Sequence, residues 1–314
     1  MHRMLVPYVA YPNWEHCAIR KTAYIENLYV RIEDGEEYDD FEIDFGRQFE
    51  TPAKPILDKV CNGQNMTPEN WRVLCDYITA QYVRTPSFYY FISRWGVKSV
   101  PGIIDTVVEN LVKTPPNRSA VDHQENGGEL LPLKINLSKT PVDTMLEINT
   151  VVGKNLWLYT INYVLASDSN VKQTFHNMKW SIASAPSGII WPTCDAPVVI
   201  AEFDHKRNML VTNGLWGSDR VIIFSISPSK VLLGMHKRKF AWRFEADRNL
   251  AEQIKKAIVN NALMYVYSSF ADPEIEIIRS RMVNIEEFQR LQNEYHNWYN
   301  MYKDDEAPLL VHRR

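Results

Sequence analysis

Residues Trp180–Phe203 read WSIASAPSGIIWPTCDAPVVIAEF. Three short apolar or β-branched runs, Trp180–Ala183, Ile189–Pro192 and Pro197–Phe203, are separated by Ser-Ala-Pro-Ser-Gly and by Thr-Cys-Asp-Ala. Runs this short, bounded by Pro, Gly and Asp, signal strands and are too brief for helices. Val221–Ile226 adds a fourth run and Val231–Met235 a fifth. Parallel neighbours need a long crossover, so the short connections favour antiparallel pairing. The stretch therefore predicts a small, mostly antiparallel sheet with Asp195 in the connection between two of its strands.

Outward from that block the pattern turns helical on both sides. Thr67–Pro86, TPENWRVLCDYITAQYVRTP, has Thr67 as N-cap, Pro68 in the first turn and Glu69 where the helix dipole favours negative charge. Trp71, Leu74, Ile78 and Tyr82 recur at helical spacing, with Val73 and Tyr77 widening the stripe. Pro86 ends the run and pushes Thr85 out of the α region. Phe41–Val60 has a similar rhythm, kinked or restarted at Pro52 and Pro55. Further helices are predicted over Gly102–Lys113, Val142–Ala166, Leu250–Tyr267 and Ile285–Tyr302. Thr22–Arg31 reads as a short extended piece, and the acidic run Glu33–Asp44 as a solvated loop. Residues 114–129 read as a flexible loop and 303–314 as an acidic tail. Helices around a block of strands make an α+β fold, with helices packed on the sheet. No composition break divides the chain, so 1–314 is expected to be a single domain.

The 314 residues are 45% hydrophobic and 12% aromatic, enough to fill a substantial core. A net charge of −3 gives no basic signature, so nucleic-acid binding is possible but not indicated. No apolar run approaches the roughly 20 residues that span a bilayer, so membrane insertion is not expected. The N-terminus shows no signal-peptide pattern. Cys17, Cys61, Cys75 and Cys194 form no CxxC pair, and free thiols in a reducing cytoplasm are the simplest account. HExxH, GxGxxG, Walker and GxSxG motifs are absent, so cofactor and metal remain unknown.

Two polar points interrupt the apolar pattern. Gln81 follows Ile78 by three residues and Arg84 follows Gln81 by three, placing both on or beside the buried face of their helix. A guanidinium there needs a carboxylate, main-chain carbonyls or a bound anion. Its favoured partners are Glu50 and Asp195, in a clasp that ties the helix end to the domain or in a polar site. Asp195, bracketed by Pro192 and Pro197, either shapes a turn or faces a cleft. Cys194 has no identifiable His to activate it.

The succession AYIENLY, FGRQFETPAKPILDKV, QYVRTP, MKWSI, PTCDAPVV and IIFSISPSKVLL resembles the bacterial domain of unknown function 4238 family over roughly residues 20–270. The resemblance places family motif positions on Glu50, on Gln81, Arg84, Thr85 and Pro86, on Trp180, and on Thr193, Asp195, Pro197 and Val198. Cys194 and Ala196 stand where the family usually has Ser and Asn. Met4 stands where Leu5-Val6-Pro7 would expect a preceding His. The resemblance implies a cytoplasmic bacterial protein and a map of motifs, without an activity.

Two functional readings follow. The first is a non-catalytic binding or regulatory protein with a buried Arg–carboxylate cluster, meeting its partner through aromatic-rich segments such as Tyr295–Tyr302. The alternative is an enzyme on a phosphate-containing substrate, a nuclease or nucleotide hydrolase. There Arg84 would bind phosphate, Gln81 would orient a group, and Asp195 with Glu50 would supply a base or hold a metal. Partner and oligomeric state are unknown on either reading.

Overall fold

The computed structural model describes residues 2–5, 14–18, 29, 31–33, 36–38, 40–89, 91–92, 95, 102, 105–106, 109, 133–139, 144–150, 153–166, 169–204, 209–211, 220–237, 240–263, 265–278, 290 and 293. The fold is α+β, as helical patterns around a block of strands predict. Contacts group the chain into two compact units, Met1–Pro86 with Asn170–Arg314, and Ser87–Ser169.

The first unit is built on a six-stranded sheet. It contains β7 (Lys179–Ser184), β9 (Val198–Asp204), β10 (Met209–Val211), β11 (Arg220–Ser227), β12 (Lys230–Met235) and β13 (Arg243–Glu245), in the order β10-β9-β11-β12-β7-β13. Every pairing is antiparallel except β13 with β7, so the sheet is mixed but mostly antiparallel. Side chains alternate faces along each strand, and both faces are covered. Trp180, Ile182, Val198, Ile222, Phe224 and Leu232 pack against Ile56 and Val60 of α2 (Thr51–Cys61) and Leu74 and Ile78 of α3 (Pro68–Val83). On the opposite face Ala183, Val199, Ile223 and Leu233 meet Ile254 and Ile258 of α6 (Arg248–Asn261). Covering on both sides explains why these strands read as near-continuous apolar runs.

Trp180 is buried on the helix-covered face, and a glycine makes room for it. It faces Gly234 across β7–β12, and a Cβ there would lie 2.9 Å from the indole ring. Its Nε1–H donates to the Phe175 carbonyl at 3.2 Å, and its ring stacks on Trp71 with centroids 6.5 Å apart.

A second, four-stranded sheet has the order β2-β1-β14-β8: β2 (Glu15–His16), β1 (His2–Leu5), β14 (Tyr265–Ser268) and β8 (Thr193–Cys194). The chain passes from β8 in one sheet to β9 in the other within three residues, and Asp195 lies in that connection. In the second unit, β5 (Leu133–Lys139) and β6 (Thr144–Thr150) pair as a hairpin, followed by α4 (Gly153–Leu165). Trp157 of α4 is fully buried and meets Tyr89 edge-on.

Several elements differ from the sequence expectation. Val142–Ala166 is not one helix: Thr144–Thr150 is a strand, and the helix begins at Gly153. The alternation Leu133-Lys-Ile-Asn-Leu-Ser-Lys139 supplies its partner, and Ile135 pairs with Ile148 and Leu137 with Leu146. The acidic run Glu33–Asp44 is not a loop. It contains part of an antiparallel pair, β3 (Arg31–Glu33) with β4 (Glu36–Tyr38), then α1 (Asp40–Phe45), while the expected turn at Asp34-Gly35 lies outside the described residues. Ile189–Pro192 is not a strand: Pro192 has no N–H, the Ile189 N–H closes a turn on Pro186, and the Trp191 N–H goes to Pro228. Leu250–Tyr267 ends as a helix at Asn261, and Tyr265 begins β14. At the expected kink or restart, a π-helical stretch, Gly46–Glu50, precedes α2, the Thr51 N–H reaches back to Gly46, and α2 continues through both Pro52 and Pro55. The flexible loop 114–129, the tail 303–314, and most of Thr22–Arg31, Gly102–Lys113 and Ile285–Tyr302 lie outside the described residues.

Candidate functional site

Helix α3 carries the first polar point. Thr67 and Asn70 cap its start reciprocally: the Thr67 Oγ1 accepts from the Asn70 N–H, and the Asn70 Oδ1 from the Thr67 N–H. Gln81 is buried on the last turn. Arg84 caps the end of the helix and turns its guanidinium to Glu50, with Nη1 2.5 Å from Oε1. The π-helical stretch ends at Glu50, so the widened turn positions that carboxylate. The guanidinium also lies over the Phe45 ring, 5.3 Å from its centroid, and the Tyr29 hydroxyl donates to the Arg84 carbonyl at 2.8 Å. Phe41, Phe45 and Tyr29 stack around this point.

The pair is half-buried rather than sealed, with 24% of the Arg84 side chain and 44% of Glu50 exposed. Burial works against the Arg84 charge, but nearby Tyr29 and Glu50 outweigh it and hold the guanidinium pKa above its usual value. Burial pushes the Tyr29 hydroxyl up, and the Arg84 charge offsets only part of that. Tyr77 is shifted up for the same reason, again opposed by Arg84.

Asp195 is engaged elsewhere. Its Oδ1 accepts the Leu263 N–H at 2.8 Å and its Oδ2 the Tyr265 N–H at 3.1 Å. Its own N–H goes to the Tyr265 carbonyl at 3.2 Å. One residue further, the Ala196 carbonyl accepts from the Asn261 Nδ2 at 2.7 Å and from the Cys194 Sγ at 3.0 Å. Asp195 thus fixes the passage from the end of α6 into β14. Of the expected quartet, the structure brings Glu50 to Arg84, keeps Gln81 buried one turn earlier on α3, and places Asp195 in a backbone clasp of its own.

Two ionic clusters escape sequence reasoning. Lys255, on the buried side of α6, lies 2.6 Å from both the Asp272 and the Glu274 carboxylates, and Lys255 and Asp272 are almost completely buried. Asp272 also receives the Glu274 N–H at the start of α7 (Pro273–Ile278). A lysine beside Ile254 and Ile258 was a legible signal, because a buried ammonium needs a carboxylate. In the second cluster, Asp76 of α3 meets His176 Nε2 at 2.7 Å and Lys172 Nζ at 3.2 Å, both from α5 (Asn170–His176). One hundred residues separate that histidine from its partner, and no local pattern announces it. Among the described residues, no three His, Cys, Asp or Glu side chains group so as to hold a metal ion.

Residues 11–272 match the family described as a protein of unknown function (DUF4238), and the chain belongs to that family. No curated protein and no solved structure matches it. Among the described residues, no helix is long and apolar enough to cross a membrane.

Proposed function

We propose that this family member is a non-catalytic binding or regulatory protein in which Glu50, Arg84 and Asp195 brace the fold. One observation carries the reading: both carboxylate oxygens of Asp195 accept backbone N–H groups, from Leu263 and Tyr265. Each oxygen keeps a second lone pair, but the two backbone donors hold the carboxylate against the passage from α6 to β14, which is a structural placement. The Arg84–Glu50 pair fits the same reading, since it joins the end of α3 to the turn before α2. None of the four cysteines forms a disulfide, which fits a reducing compartment. Together with the resemblance to bacterial sequences, the free thiols support the reading of a bacterial cytoplasmic protein.

Asp195→Asn tests the bracing role. The amide keeps the volume but turns an NH2 toward one of the two backbone donors, leaving that N–H without an acceptor at a cost of about 1–3 kcal/mol. The expected result is a melting temperature several degrees lower, with no turnover of RNA, DNA or nucleotides by the wild type with divalent metals present. Turnover by the wild type that Asp195→Asn abolishes without moving the melting temperature would overturn the reading. It would favour an enzyme using Arg84, Asp195 and Glu50 on a phosphate-containing substrate.

A further inference from the structure

Among the described residues, buried donors left without acceptors include Trp71 Nε1, Ser181 Oγ, Arg243 Nε and Arg220 Nε. Three sit in filled surroundings. The Trp71 ring is held between Trp180 and Trp242, Ser181 is sealed within β7, and Arg243 directs both terminal nitrogens to the Gly63 and Gln64 carbonyls. Arg220 is different, because its guanidinium carries a full charge and forms no ion pair or hydrogen bond with any described residue.

Its position makes this unusual. Arg220 opens β11 and stands directly opposite Glu202 of β9 in the antiparallel register. Opposite charges so placed ordinarily pair across the strands, yet Arg220 forms no salt bridge there. It lies on the same face as Ile222 and Phe224, the face covered by α2 and α3, and is only partly exposed. Tyr82 of α3 packs against that same face. Burial pushes the Tyr82 hydroxyl pKa up, and the Arg220 charge opposes the rise.

We propose that Arg220, at the end of the central sheet, anchors a binding site for a small oxyanion of the phosphate or carboxylate class. A guanidinium is a planar fork of N–H donors with no acceptor, and an oxyanion is the ligand that satisfies two of those donors together with the charge. The site is separate from the Arg84–Glu50 pair and stands whether or not that pair and Asp195 brace the fold.

The test is thermal unfolding of the full chain, with calorimetric titration, against inorganic phosphate and acetate at constant ionic strength. A ligand that binds only the folded state raises the melting temperature saturably, and that is the expected result with at least one of the two probes. A response to phosphate alone identifies a tetrahedral oxyanion, and a response to acetate alone a carboxylate. Losing a charge-assisted hydrogen bond weakens binding about tenfold or more, so Arg220→Gln is expected to show that loss. Arg220→Lys, which keeps the charge without the fork, gives an intermediate loss and serves if the glutamine variant does not fold. Arg72→Gln, at an exposed arginine paired with Glu69, leaves the affinity unchanged. No saturable response in the wild type, meaning that water alone satisfies Nε, overturns the proposal. An undiminished response in both Arg220 variants does so too.

Discussion

Gly234→Ala isolates the closest packing in the central sheet. The added methyl would lie 2.9 Å from two indole carbons of Trp180 and 3.1 Å from a third, well inside van der Waals contact. Gly234 lacks a left-handed φ, so backbone conformation does not require the glycine. In an unstrained site the substitution would gain about 0.4–1 kcal/mol by restricting the unfolded chain. The indole cannot swing away cheaply, because it is 4% exposed, hydrogen-bonded to Phe175 and stacked on Trp71. Overpacking of this kind costs about 1–3 kcal/mol, so the net destabilisation is about 1–2 kcal/mol. Urea unfolding should show a lower midpoint with an unchanged slope. Trp180→Leu removes the clash, so in the double mutant Gly234→Ala should become neutral or stabilising, a coupling of at least about 1 kcal/mol. A neutral or stabilising Gly234→Ala in the wild-type background, or additivity in the cycle, would refute the reasoning.

Three further outcomes are expected. Lys255 depresses the Glu274 pKa by hydrogen bond and charge, so their pair contributes stability above the ordinary glutamate pKa of about 4.3 and loses it as pH falls through the lowered value. The stability gap between wild type and Glu274→Gln, followed by melting temperature, should therefore be widest near neutrality and close on acidification, and it should stay below about 1 kcal/mol because Glu274 is largely exposed. Burial pushes the Cys75 thiol up to about 12, so a disulfide reagent at pH 8 should label Cys75 only after denaturant is added; rapid labelling of the native protein would contradict its packing. A double-mutant cycle of Arg84→Gln and Glu50→Gln should give a coupling of about 1 kcal/mol, not the roughly 3–5 kcal/mol of breaking a sealed pair, because both side chains are part-solvated.

What the sequence revealed follows the range of each interaction. The runs at Trp180, Val198, Val221 and Val231 became strands because their apolar character is continuous and their boundaries are Pro, Gly and Asp. The start of α3 is legible because Thr67, Pro68 and Glu69 act within one turn, while the reciprocal Asn70 cap is visible only in the structure. Val142–Ala166 was misread because Met145, Ile148, Val152 and Leu156 happen to recur at helical spacing across a strand, its connection and a helix. The alternation in Leu133–Lys139, which would have exposed the hairpin, carried the competing period. Arg84 was recognised as needing an anion, and Glu50 was one of two named candidates. The choice between Glu50 and Asp195 depends on how the π-helical stretch aims Glu50 and where β14 presents its N–H groups. Neither is a local property of the chain.

The polar contacts share a placement that bears on function. Arg84 reaches Glu50 across 34 residues, Asp195 reaches the Leu263 and Tyr265 amides across 68 and 70, and His176 reaches Asp76 across 100. The Arg243 fork spans 180 residues to Gly63. Each contact sits at the end of a helix or strand, where the apolar layers run out and backbone groups need partners. Hydrophobic burial is non-directional and sets no register, whereas a charged group with two aligned acceptors or donors fixes one element against another at a single position. A chain with two larger sheets, a direct crossing between them at Asp195 and helices on both faces of the larger, has several such positions to define. The polar residues that interrupt its apolar pattern are therefore expected in a bracing role before any chemistry is invoked. By the same reasoning Arg220 stands apart: it occupies a strand end like the others, but among the described residues it pairs with none.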